Sequence, residues 1–214
     1  VYSIKLLKGE KINVTLTGAT GTDFDIYLYN KNAKTVKSSA GIVAYSEKSG
    51  TSSESFTYYA KEDGTYYIDV YAYKGYGSYT VKVKQGATAG TYENSAKEIN
   101  YIGKWDTITN SNASGGNYKV TNEDGAKVQF VFNGTGITLK GLKSPYQGYA
   151  KITVDGVSQE VKLHSTSYYY KSQYFSKTGL KAGRHVVTIE WTGKAATGAK
   201  KYSTKVNIDT ITVK

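Results

Sequence analysis

The chain has 214 residues, 39% of them hydrophobic, with 22 tyrosines and a formal net charge of +11. It contains no cysteine, which excludes disulfides, thiolate metal sites and a cysteine nucleophile, and no stretch reaches the ~18–20 apolar residues of a membrane-crossing helix. Arg184 is the sole arginine and the lysines are dispersed singly apart from Lys200-Lys201, so the charge reads as a solvated surface and not as a nucleic-acid interface, which draws on arginine.

Short alternating runs broken by Gly, Asn and Asp, rich in Val, Ile, Thr and Tyr, predict an all-β chain. KINVTL (11–16) places Ile12, Val14 and Leu16 on one face. DFDIYLYN turns Phe24, Ile26 and Leu28 inward and Asp25, Tyr27 and Tyr29 outward. GTYYIDVYAY sets Tyr66, Ile68 and Val70 against Tyr67, Asp69, Tyr71 and Tyr73, and SYTVKV closes the block. QGATAGT (85–91) is small and flexible in composition, so the boundary is placed there: a domain over 1–86, a linker over 87–91 and a second domain over 92–214.

About nine strands are predicted in the second block. They are KEINYI (97–102), NYKV (117–120), AKVQFVF (126–132), TGITLKG (135–141), YAKITV (149–154), VSQEVKL (157–163), SQYF (172–175), RHVVTIEW (184–191) and KVNIDTITV (205–213). NGTG (133–136) and DGV (155–157) read as hairpin turns.

KGEKINVTLTG, TDFDIYLYN and EDGTYYIDVYAYKGYGSYTVKV, in that order, carry a resemblance of nearly all of 1–86 to the bacterial pre-peptidase C-terminal domain. The resemblance implies a small β-sandwich appended to secreted bacterial enzymes, not itself catalytic, whose related modules bind collagen or other insoluble substrates. EINYIGKW, GAKVQFVFNGTGITLKG, GYAKITVDG, GLKAGRHVVTIEWTG and VNIDTITVK resemble the jelly-roll modules of the galactose-binding-like class, similar to carbohydrate-binding modules. The fold expected is two β-sandwiches: a small Greek-key or jelly-roll sandwich, then a larger jelly roll.

Successive connections alternate between the ends of an antiparallel sandwich. Three long ones, LKSPYQG (142–148), HSTSYYYK (164–171) and TGKAATGAKKYST (192–204), are therefore expected together. They bring Tyr146, Tyr168, Tyr169, Tyr170 and Tyr202, with Lys194 on the rim, Tyr149 opening the strand after the first and Trp191 closing the strand before the third. Tyrosine offers a flat apolar face and a hydroxyl that stays wet, which suits the C–H face and polar rim of a sugar. In an extended segment Tyr168 and Tyr170 share a side while Tyr169 packs below. Residues 87–214 carry +8 against +3 for 1–86; if Lys143, Lys171, Lys194, Lys200 and Lys201 of these loops line the rim, uronic acid chains or anionic wall polymers are favoured over neutral glucans. The plainer alternative makes these tyrosines props between loops and Trp191 a core residue. A second candidate surface is the outward face of the first block, with Tyr27, Tyr29, Tyr67, Tyr71 and Tyr73.

No enzyme is expected. The two histidines lack metal spacing, no G-x-S-x-G or P-loop occurs, and no carboxylate pair is set across a cleft. Sugar modules of the resembled shape hold a structural calcium between first and last strands, where Glu93 and Asp209 fall, with Glu98 as a third ligand; Asp23 and Asp25 are a further pair of that kind. The expected function is a non-catalytic bacterial module, extracellular or at the cell surface, binding polysaccharide or cell-wall glycan. It would form the targeting part of a secreted enzyme or the sensor part of a receptor. The chain starts on Val1 without a signal peptide and is expected to be part of a longer protein. The alternatives are a protein- or collagen-binding adhesion module and a structural spacer.

Overall fold

The computed structural model describes residues 1–214, which divide into two units, Val1–Gln85 and Gly86–Lys214. In the first unit the period-two runs make two antiparallel sheets. One is ordered β1 (Tyr2–Leu6), β6 (Gly64–Lys74), β3 (Asp23–Tyr29), β4 (Ile42–Ser46), and the other β5 (Glu54–Tyr59), β2 (Lys11–Gly18), β7 (Tyr79–Gln85). Ile12, Val14 and Leu16 meet Phe24, Ile26, Leu28, Tyr66 and Ile68 in one core, as alternation requires. Asp25 and Tyr29 do leave that core, but they are buried instead of solvent-facing. The chain after β3 folds over them: the Tyr29 hydroxyl donates to the Val36 carbonyl at 3.0 Å.

Residues 87–91 are not a linker. Ala87 is fully buried, donates its N–H to the Val131 carbonyl and accepts from Asn133 N. Gly90–Glu93 is strand β8, paired with β17 (Thr210–Val213). The small residues that suggest flexibility serve close approach here. A Cβ on Gly86 would lie 2.9 Å from the Phe132 backbone carbon.

Two strands of the second unit run through expected turns: β12 (Lys127–Lys143) and β15 (Tyr169–Trp191). At NGTG the pair does not reverse. Its register jumps from Gly134↔Gly183 to Gly136↔Thr178, an irregularity of the bulge kind. Before the jump β12 pairs with β9 (Ile99–Ile102); after it, with β17. The two halves of one long ladder thus take different partners, and both line the same core through Val128, Phe130, Phe132, Ile137 and Leu139. Asn-Gly signals a hairpin only when the chain behind it turns back. A Cβ on Gly134 would meet the Lys214 carbonyl oxygen at 2.3 Å, so here the glycine makes room for the backbone of Lys214.

The other turn forms as read. Asp155 and Gly156, with φ of 48° and 84°, join β13 (Tyr149–Val154) to β14 (Val157–Lys162) in the left-handed geometry of a two-residue hairpin. The second unit's larger sheet is ordered β14, β13, β15, β12, β17, β8, with β9 also on β12, and its smaller one β10 (Asp106–Thr109), β11 (Asn117–Thr121), β16 (Val206–Ile208), which completes an all-β chain of two sandwich units.

Candidate functional site

The connections 142–148, 164–171 and 192–204 meet. Short parallel bridges tie Ser144 to His164 and Gln147 to Lys205. Ser165 N donates to the Ser144 carbonyl at 3.1 Å, Leu163 N to Gly148 at 2.9 Å, and Tyr149 N to Lys194 at 3.0 Å. Backbones pack this tightly only around a residue without a side chain. A Cβ on Gly148 would lie 2.4 Å from the Lys194 carbonyl oxygen and 2.7 Å from Thr204 Cα.

Beneath the loops Asn207 is fully buried and acts as a staple. Its Oδ1 accepts from Leu142 N at 2.7 Å, while its Nδ2 donates to the Leu142 carbonyl and to Gln147 Oε1, both at 2.8 Å. Every polar atom of that side chain is spent on holding connection 142–148.

On this base stands a ladder of tyrosines. Tyr146 and Tyr168 have ring centroids 6.4 Å apart; Tyr168 and Tyr170 are also 6.4 Å apart and nearly parallel, at 21°. Tyr170 in turn rests edge-on against the buried Tyr118 at 6.5 Å, and its hydroxyl accepts from Asn110 Nδ2 at 3.0 Å. The inner rung is anchored, while Tyr146 and Tyr168 stay 49% and 52% exposed. Beside them a cavity of about 280 Å³ is lined by Pro145, Tyr146, His164, Thr166, Ala199, Lys200 and Ser203. Lys200 lies 5.7 Å from the ring centre of the exposed Tyr202, whose hydroxyl raises the ammonium pKa.

Local backbone geometry sets the ladder. Across β12 the register passes from Gly141↔Ser172 to Lys143↔Tyr169, and Lys171 takes φ of 54° to absorb the shift. A left-handed lysine costs about 1–2 kcal/mol, and its side chain is exposed. Lys171→Gly is expected to raise stability by about 0.5–1 kcal/mol in urea unfolding; a loss would mean that the lysine side chain holds the bulge.

The other sequence-selected residues lie elsewhere. Tyr169 alternates away from Tyr168 and Tyr170 but is exposed, not packed below, because it pairs with Lys143 at the strand end. Trp191 follows Val187 and Ile189 on the inward face and packs against the core, its indole nitrogen buried without a partner. Lys194 does not join Tyr202: its ammonium binds Glu160 at 2.6 Å and lies 4.9 Å from the Tyr149 ring centre. Tyr149, Glu160 and Lys194 thus form a separate group.

Glu93 and Asp209 meet around the Ser114–Gly116 turn. Ser114 N donates to both Asp209 oxygens at 3.1 Å, and Ser114 Oγ donates to Glu93 Oε1 at 2.7 Å. Glu93 Oε2 is buried without a partner. Burial raises the Asp209 pKa, the Ser114 hydrogen bond opposes it, and Glu93 adds to the rise. An orphaned carboxylate oxygen beside a second acid fits a hard cation. Glu98 does not complete a three-carboxylate group with them; it sits at the entry to β9, on the far side of the turn that follows β8.

In the first unit β3 and β6 are neighbours, with Asp25 opposite Tyr71, Tyr27 opposite Asp69 and Tyr29 opposite Tyr67. Tyr71 and Tyr73 are exposed. A cavity of about 640 Å³ is lined by Tyr27, Tyr29, Val36, Ile42, Asp69 and Tyr71 among others.

Asn207, Gly148, Tyr118 and Asn110 support the site and escaped sequence reading. Only Asn207 left a trace: a polar residue between Val206 and Ile208 in an apolar strand.

Among known proteins, an A type blood N-acetyl-α-D-galactosamine deacetylase of Flavonifractor plautii is 33% identical over 90 residues, 42% of this chain and 12% of that protein's length. A family 35 carbohydrate binding module from Clostridium thermocellum aligns over 57% of this chain and 96% of its own, at 19% identity and a TM-score of 0.36. A Paenibacillus xanthan lyase shares the fold over 98% of this chain and 21% of its own, at 15% identity and a TM-score of 0.51. Residues 1–72, most of the first unit, match the family model of the bacterial pre-peptidase C-terminal domain.

Proposed function

We propose that this chain is a non-catalytic glycan-binding module whose binding surface is the tyrosine ladder of the second unit. The observation that carries the reading is that Tyr146 and Tyr168 stand exposed on a rung, Tyr170, that is anchored from below. Rings held in place before binding lose little entropy when a ligand stacks on them. Lys200 beside the cavity favours chains bearing carboxylates. A relative named for acting on N-acetyl-α-D-galactosamine supports a carbohydrate context. Glu93 and Asp209 would hold a structural calcium ion that pins the Ser114 turn against β17. The module would work outside a bacterial cell, attached to a larger protein as the targeting part of a secreted enzyme or the sensor part of a receptor.

Affinity electrophoresis through gels containing polygalacturonate, xylan, neutral glucan or collagen tests this. Retention is expected on the uronate polymer, weakened by salt as charge contacts are screened and by a chelator. The exposed Tyr71 and Tyr73 of the first unit support a second reading, binding of a collagen-like protein. Retention on collagen alone, lost on replacing those two residues, would establish it; retention on nothing would leave a spacer.

A further inference from the structure

Acidic side chains also gather on the first unit. Asp23 and Asp25 stand two apart on β3, Glu47 follows β4, and all three line a cavity of about 380 Å³ with Tyr27, Ser49 and Tyr71. Asp25 is only 7% exposed, yet its carboxylate takes part in no hydrogen bond or ion pair. Asp23 is 5% exposed; its Oδ2 accepts from Gly50 N at 2.8 Å while Oδ1 is buried with no partner. Glu47 Oε1 accepts from the Tyr27 hydroxyl at 2.5 Å. Behind them Glu54, also buried, accepts from Ser46 Oγ and from Lys48 N. The nearest lysine in sequence, Lys48, turns its ammonium to the Ser53 carbonyl.

A carboxylate withdrawn from water without a counter-charge is unfavourable. The group has three carboxylates, one buried oxygen without a partner (Asp23 Oδ1) and an adjoining cavity that no lysine or arginine lines.

We propose that this cavity is a divalent-cation site for Ca²⁺, held by Asp25, Oδ1 of Asp23 and Glu47, with the remaining positions filled by water or backbone oxygens. The donor set is all oxygen. Both histidines, His164 and His185, belong to the other unit and cysteine is absent, which disfavours zinc. An all-oxygen set suits the six-to-eight-oxygen shell of Ca²⁺; the three acids do not converge on one point as they stand, so Glu47, an exposed side chain, must swing inward to complete the site. The ion would clamp the connection carrying Glu47 and Gly50 onto β3, beside Tyr27 and Tyr71. This site is separate from the one at Glu93 and does not rest on the glycan reading.

The test titrates the full chain with Ca²⁺ by calorimetry in a Glu93→Gln background. One binding event is expected to survive there, and Asp25→Asn added to it should weaken that event by more than about tenfold. Glu47→Gln, which changes a surface side chain, should weaken it in the same direction if Asp25→Asn does not fold. In chelator Asp25→Asn should melt no lower than its parent, because a buried charge has gone. Absence of Ca²⁺ uptake in the Glu93→Gln chain, or uptake that Asp25→Asn and Glu47→Gln both leave unchanged, overturns the proposal.

Discussion

Replacing Asn207 by alanine is expected to destabilise the second unit by about 4 kcal/mol. The substitution removes three buried hydrogen bonds and strands Leu142 N, the Leu142 carbonyl and Gln147 Oε1 where water does not reach. Each such orphan costs about 1–3 kcal/mol, against about 1 kcal/mol for an ordinary bond exchanged with solvent. Both tryptophans, Trp105 and Trp191, lie in the second unit, so urea unfolding followed by tryptophan fluorescence reports on that unit alone. A loss below about 1 kcal/mol would show that water or a rearranged loop replaces the amide.

Gly148→Ala is expected to cost about 3 kcal/mol, a large effect for one methyl group. The new carbon would be driven into the Lys194 carbonyl oxygen and Thr204 Cα. Those are backbone atoms, which cannot swing aside as a side chain could. The third connection must retreat, and with it Lys200 and Tyr202. The same fluorescence assay measures the cost, and glycan retention should fall with it. Unchanged stability would mean that connection 192–204 is not packed against 142–148 as described.

The core was legible because alternation is a local rule: Ile12, Val14, Leu16, Phe24, Ile26 and Leu28 face inward as the sequence predicts. The meeting of three long connections was legible from counting turns, although two of the turns counted are not turns. NGTG misled because Asn-Gly signals a reversal only in isolation, and its long-range partners, Gly183 and the Lys214 carbonyl, are invisible to local reading. Residues 87–91 misled in the same way: small residues suit a free linker and a tight crossing equally. Trp191 and Lys194 could be placed near the site by position, but direction depends on strand parity for the one and on Glu160 of β14 for the other. The burial of Asp25 and Tyr29 depends on what folds over the sheet, and no periodicity records that.

The central claim is that glycan binding resides in the exposed rungs of the tyrosine ladder. Retention of the chain should be compared with that of a Tyr146→Ala/Tyr168→Ala double variant and of Tyr169→Ala, whose ring lies outside the ladder. An aromatic contact contributes about 1 kcal/mol beyond the area it buries, so the double variant is expected to lose affinity by more than about tenfold while Tyr169→Ala keeps it. Equal retention by parent and double variant, on a polymer that holds both, would contradict the account.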